Sequence, residues 1–177
     1  MSLQRMELES KMEPETSDES ETTVRSATKA DIDLLGMYGA ELVSIHHGWD
    51  ARRFIAGGPR TPTAYSSHLR GQLDKPDVLV LVAEIHGKVV GYAYAGLEGS
   101  DYMALRGPAG AIYDIFVEES HRRRGAGRAL LTAVVGELGG RGATQIVLST
   151  AHRNDDGQRL FASMGFEPTM VEMTLQL

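Results

Sequence analysis

Arg122-Arg123-Arg124-Gly125-Ala126-Gly127-Arg128 stands between two strongly patterned stretches of the chain. Before it, Ala111-Ile112-Tyr113-Asp114-Ile115-Phe116-Val117 has the β-branched and aromatic content of a strand. After it, Leu130, Leu131, Val134, Val135 and Leu138 share one stripe of a helix spanning 125–138, which Gly139-Gly140 ends. Glycines at a helix start let a phosphate approach the backbone. Free N–H groups there donate to its oxygens, and the helix dipole adds favourable potential. The stretch reads as a diphosphate cradle, against two plainer readings: a solvated Arg-rich helix start, or a basic patch for nucleic acid.

Two other phosphate-binding patterns fail. A dinucleotide-binding Rossmann unit needs G-x-G-x-x-G and an acid at the end of the next strand, but here Gly125 and Gly127 are followed by Ala129-Leu130 and no such acid. A P-loop would require Gly-Lys followed by Ser or Thr, which is missing.

Upstream of the cradle, Val78–Ile85 is a buried-strand run that His86-Gly87 turns into Lys88–Ala95, an antiparallel hairpin. Further back, Thr28-Lys29-Ala30-Asp31 offers a capping box to a helix over 32–46, and Thr61-Pro62 opens a second helix ending near Leu73. Downstream come a strand at Gln145–Thr150, a short helix at Asn154–Met164, and Phe166–Leu177 as one bent strand or two. These elements predict one α/β domain over 24–177. It is a mixed layer whose mostly antiparallel central sheet is flanked by helices.

The 177 residues, 42% hydrophobic and 24% charged, suit such a domain without disulfides or a structural metal. The absence of cysteine rules out a thiolate metal site and a cysteine nucleophile. The net charge of −6 is concentrated in residues 1–23, where seven acids face two bases. That stretch is expected to be a disordered acidic tail. The near-neutral remainder gives no general argument for nucleic-acid binding. With no apolar run long enough to span a bilayer and no signal-peptide core, the expected setting is cytoplasmic, away from membranes.

In this context the Arg122–Arg128 stretch resembles the acyl-CoA signature of the GNAT superfamily of N-acetyltransferases. That signature is Gln or Arg, two residues, Gly, one residue, then Gly or Ala, and Arg122, Gly125 and Gly127 match it. The likeness extends over Val24–Leu177: Ile112–Val117 looks like the family's fourth strand, Gln145–Thr150 like its fifth, and Asn154, Phe161 and Gly165-Phe166 like its second CoA-side motif. It implies a sheet splayed between the fourth and fifth strands, acetyl-CoA as co-substrate and an amine acceptor on a small molecule or a protein. A homodimer is an allowed assembly.

Residue by residue, the resemblance implies that main-chain N–H groups of Arg123, Arg124, Gly125, Ala126, Gly127 and Arg128 hold the pyrophosphate, with Arg122 at the signature's first position. It places the oxyanion donor at the Val117 N–H and gives the pantetheine arm to the main chain of Ile115, Phe116 and Val117. Asn154 would face the cofactor arm or cap a helix, or do both. Phe161 departs from the pattern, because many members carry there a tyrosine that protonates the leaving thiolate. That departure keeps a non-catalytic acyl-CoA sensor or scaffold as the rival reading.

Attack needs a neutral amine, and Asp114 is the preferred base: an acid in an apolar strand, three residues before Val117, should have a raised pKa. A purely structural role for Asp114 competes with this. Tyr113-Asp114 resembles the Glu-Asp pair of diamine acetyltransferases, with tyrosine in place of glutamate. Glu98 is the second candidate base. Tyr113 and His47 are candidate substrate contacts, and Trp49, Tyr65, Tyr92 and Tyr94 could line the pocket or fill the core. No metal is expected, because His46-His47 has no third ligand in register.

Overall fold

The computed structural model describes residues 22–177, so the acidic-tail expectation for 1–21 lies outside the described residues. Thr22 and Thr23, assigned to that tail from the sequence, instead begin strand β1 (Thr22–Ser26), which pairs antiparallel with β2 (Val78–Ile85). The sheet continues through β3 (Lys88–Glu98) and β4 (Ala109–Val117) to β5 (Ile146–Leu148), in the spatial order β1-β2-β3-β4-β5. All neighbours are antiparallel except β4 and β5, which run parallel.

Helices cover both faces. On one, α1 (Ile32–Trp49) and α2 (Thr61–Arg70) bury Ile32, Leu35, Tyr38 and Leu69 against Val80, Val82, Tyr92 and Phe116. On the other, α3 (Ala126–Gly140) and α4 (Asp155–Ser163) bury Leu130, Leu131, Val134, Leu138 and Phe161 against Leu79, Leu81, Ala93 and Ile112. The apolar stripe read in the sequence of α3 is therefore its buried face. Gly36 and Gly39 let α1 and α2 meet closely: a Cβ on Gly39 would stand 2.1 Å from the Tyr65 ring.

β1 is fixed to the domain by charge. The Arg25 guanidinium forks onto both oxygens of Asp31 at 2.9 and 3.0 Å and reaches Glu84 at 2.7 Å. Thr28 closes the turn by donating its N–H to Asp31 at 2.7 Å. The Arg25 hydrogen bonds hold the Asp31 carboxyl at about 2, below its ordinary 3.8. A depressed carboxylate stabilises the fold above its ordinary value, and that contribution disappears as pH falls through about 2. Asp31→Asn is expected to lower stability by roughly 2 kcal/mol at pH 7. Urea midpoints of the two proteins should converge in strong acid.

The last stretch differs from the sequence expectation. Residues 166–177 form no strand, and β5 is shorter than the predicted Gln145–Thr150. β5 pairs with β4 only through Gly110–Ile146, Ala111–Val147 and Ile112–Leu148, after which the two strands part. The expected splay between these strands is present. Among the described residues, the edge of β4 beyond Ile112 has no partner strand.

Candidate functional site

That free edge leads directly to the cradle. A single 3-10 turn at Glu119–His121 follows β4, and the Arg122 N–H donates to Glu119. The next backbone donor in use is Ala129, which bonds to Gly125 as the first bond of α3. Among the described residues, no protein acceptor takes the N–H groups from Arg123 to Arg128. Arg123 (φ 64°) and Gly125 (φ 89°) are both left-handed, so the chain doubles back into a concave run of donors at the positive end of a helix dipole. An added Cβ on Gly125 would meet nothing within 4 Å, so the space on that side of the turn is open.

Three of the four arginine side chains of the stretch serve other ends. Arg122 Nε donates to the Val117 carbonyl at 3.0 Å, fixing the loop to the end of β4. Arg123 pairs with Asp156, and Arg128 donates to Ser163 at 2.7 Å, tying the start of α3 to α4. Gly127 has a packing role as well, since a Cβ there would press on Leu160 at 3.2 Å. What the cradle presents is donors of the main chain rather than guanidinium groups.

The orientation of β4 follows from one bond. Glu118 N–H donates to Val90, so alternation along an antiparallel pair turns the backbone of Phe116 toward β3 and that of Ile115 and Val117 toward the free edge. Phe116 is thereby set apart from the other two: its backbone is committed to Tyr92 and its ring lies in the core under α1. The Val117 N–H points where β5 has left.

A cleft of about 470 Å³ opens beside the loop after β4, bounded by Glu41 and Trp49 of α1, by Glu119 and Arg122, and by Arg153, Asn154 and Asp156 at the start of α4; Val117 itself is not in its lining. Asn154 caps α4: its Oδ1 accepts from Gly157 N at 3.1 Å and its Nδ2 donates to Thr150 at 3.0 Å. The capping alternative is thus realised, on the wall of the cleft.

Asp114 lies on the opposite face of the sheet from α3. The β3–β4 register slips between Tyr94–Asp114 and Ala95–Ile112, leaving Tyr113 as an extra residue. This bulge turns Tyr113 and Asp114 to the same side, beneath α1 and α2. Asp114 Oδ2 there accepts from Tyr65 at 2.5 Å and Tyr92 at 3.1 Å. Since no fully buried side-chain oxygen lacks a partner among the described residues, Oδ1 retains access to open space. Burial raises the Asp114 pKa, while the two hydroxyls and the nearby His68 and His46 oppose the rise.

Other candidates stand elsewhere. Glu98 pairs with Arg106 through Oε2 at 2.6 Å and accepts from Tyr113 through Oε1 at 2.9 Å, so both of its oxygens are engaged and Tyr113 is a partner of Glu98. His47 bonds the Phe54 carbonyl at 2.9 Å, and the histidine of α1 that acts on Asp114 is His46. Sequence reasoning weighed His46 only together with His47, as a metal or substrate contact or a polar helix end, and passed over His68. The helical phase of α1 held the signal for one, since the buried row Leu35, Tyr38, Leu42 and Ile45 continues beside His46 rather than His47. Tyr65 and Tyr92 serve both as core and as Asp114 donors, and Trp49 lines the cleft.

No helix among the described residues is long and apolar enough to cross a membrane. The sequence model of the acetyltransferase (GNAT) family matches residues 44–166. Mycothiol acetyltransferase of Thermobispora bispora is 34% identical over 96 residues, which cover 52% of this chain and 31% of that protein. The curated relatives are longer than the matched stretches, which span 31% to 65% of their lengths. A mutant Bacillus halodurans protein superimposes with a TM-score of 0.76 at 21% identity, covering 88% of this chain and 99% of that one. An aminoglycoside N-acetyltransferase crystallised with CoA gives 0.68 at 21% identity, covering 89% and 95%.

Proposed function

Since the chain belongs to the acetyltransferase (GNAT) family, we propose that it transfers an acetyl group from acetyl-CoA to a primary amine, on a small molecule or a protein, by direct attack. The observation that carries this reading is the run of N–H donors from Arg123 to Arg128 that no acceptor takes among the described residues, one 3-10 turn beyond the free edge of β4 at Val117. The diphosphate of acetyl-CoA fits such a run, and the co-substrate supplies a reactive thioester. Ile115 and Val117 offer main-chain groups to the arm, and the Val117 N–H is the donor for the developing oxyanion. Arg122 holds that strand end in place through the Val117 carbonyl.

Asp114 takes the proton from the attacking amine through Oδ1, directly or by way of water, while Tyr65 and Tyr92 hold Oδ2. Direct transfer is favoured because the chain has no cysteine and no serine–histidine pair bonds to Asp114 to form an acyl-enzyme. Calorimetric titration with acetyl-CoA tests the cofactor half of the proposal. Thiol release across a panel of amines tests the rest. Binding without turnover on any amine would favour the sensor reading, which rests on Phe161.

Phe161 is 7% exposed and packs edge-to-face on Phe166 with ring centroids 6.1 Å apart. No side chain at this position donates a proton to the thiolate, and a thiol of pKa near ~8.5 leaves without one. Phe161→Tyr is expected to leave acetyl-CoA affinity nearly unchanged and to raise turnover toward ~10², the low end for general acid help. Steady-state thiol release measures both.

Tyr65→Phe removes one of the two hydroxyl bonds that oppose the raised pKa of Asp114. The acid limb of the rate profile is expected to move to higher pH, and turnover on its rising side to fall by roughly tenfold, equivalent to ~1.4 kcal/mol. An unmoved limb would separate Tyr65 from the base.

A further inference from the structure

On the α1–α2 side of the sheet, the rings of Tyr94, Tyr113 and His68 meet beside Asp114. Tyr94 is the β3 residue that pairs with Asp114 across the strands. Its ring centroid lies 4.7 Å from that of Tyr113, and the imidazole of His68, on α2, stands edge-on to it at 5.6 Å. Gly96 gives Tyr113 its place. A Cβ on Gly96 would lie 3.4 Å from the Tyr113 hydroxyl and 3.5 Å from its Cε2, so the ring lies back along β3 over the missing side chain. Tyr113 is 42% exposed and Tyr94 half-buried, so the pair presents ring surface to solvent.

The two ends of this aromatic surface differ in charge. At one end Asp114 is bonded to hydroxyls alone, through Oδ2. At the other, Glu98 is paired with Arg106 at 2.6 Å and also accepts from Tyr113, so that end carries no net charge. A ligand whose amine stands at Asp114 and whose body runs toward Glu98 therefore meets one carboxylate and then two tyrosine rings. A second ammonium would find its carboxylate already taken by a guanidinium. An apolar ring would cover half-exposed tyrosine surface and gain offset or edge-on stacking as well.

We propose, on the footing of the acetyl-transfer reading, that the acceptor is a monoamine with an aromatic body, its amine at Asp114 Oδ1 and its ring against the Tyr94–Tyr113 pair. In thiol-release assays, kcat/KM for phenethylamine is expected to exceed that for n-butylamine and for putrescine by about tenfold or more, chiefly through KM. Tyr113→Ala should remove about tenfold of that preference. Tyr113→Phe, which keeps the ring and loses the bond to Glu98, should retain it. Fluorine line broadening of para-fluorophenethylamine, with CoA in place of acetyl-CoA, reads ring binding without turnover. Broadening by the parent protein that Tyr113→Ala loses supports the aromatic site even where no amine releases thiol, a result that would sink the transfer reading alone. Putrescine used as well as phenethylamine, equal losses in Tyr113→Phe and Tyr113→Ala, or no broadening with the parent protein would each overturn the proposal.

Discussion

Gly125→Val is expected to abolish acetyl-CoA binding while leaving a folded protein. Gly125 sits at φ 89°, where a β-branched residue is a genuine outlier, and its backbone turns the Arg123–Arg128 donors toward one point. Strain of this kind costs about 1–3 kcal/mol, which a domain of this size survives. No steric conflict adds to it, because a Cβ at Gly125 meets only open space. That open space is where the diphosphate would sit, so the valine methyls would stand in front of the donors. Losing two hydrogen bonds to a charged group, at about 1.5–3 kcal/mol each, weakens binding by ~10²–10⁴. Gly125→Asn, which tolerates a left-handed backbone, should keep more affinity than valine. Retention of full affinity by the valine protein in calorimetry would place the cofactor elsewhere.

The cradle was legible because its logic is local. Strand end, glycines and helix stripe lie within 30 consecutive residues, 109–138, and the backbone conformation that Gly125 allows does the work. β2, β3 and α3 were legible for the same reason. Each buries a face whose period appears in its own sequence. β1 was not, since Thr-Thr-Val-Arg-Ser has one apolar residue and its order comes from pairing with Ile85–Leu81 and from Arg25 meeting Asp31 and Glu84. Those partners are distant or non-adjacent in sequence.

The setting of Asp114 shows the same limit at the site itself. Ala111–Val117 reads as an uninterrupted strand, and nothing in it announces that Tyr113 is the extra residue of a bulge. Without the bulge, alternation would place Asp114 on the α3 side with Ile112, away from Tyr65. The carboxylate reaches the tyrosines because β3 and β4 pair out of step there, and Tyr65 reaches the carboxylate because Gly39 leaves room for its ring. The sequence pointed to the acid and to its raised pKa. The two hydroxyls that moderate that pKa come from 49 and 22 residues away. Phe166–Leu177 reads as one bent strand or two in the sequence, but a strand also needs a partner, and among the described residues this stretch has none.

Asp114→Asn is expected to reduce turnover by ~10²–10⁴ at neutral pH with acetyl-CoA affinity unchanged, the range for losing general base help. The deficit should shrink at alkaline pH, where the acceptor amine is already neutral. Stability should move the other way. Burial raises the Asp114 pKa in the folded state, so the fold holds this proton more tightly than the unfolded chain does. For a raised carboxyl, the stabilisation is present below the ordinary carboxylate range and is lost as pH rises through the folded value. At pH 7 the ionised side chain is therefore a burden on the fold. An asparagine oxygen can accept from Tyr65 and Tyr92 without charge, and the variant should unfold at the same or higher urea than the parent. A carboxylate kept only for structure would give the opposite pair of results, full turnover across pH and lower stability. Measuring both quantities on one variant thus tells a base from a buried hydrogen-bond acceptor.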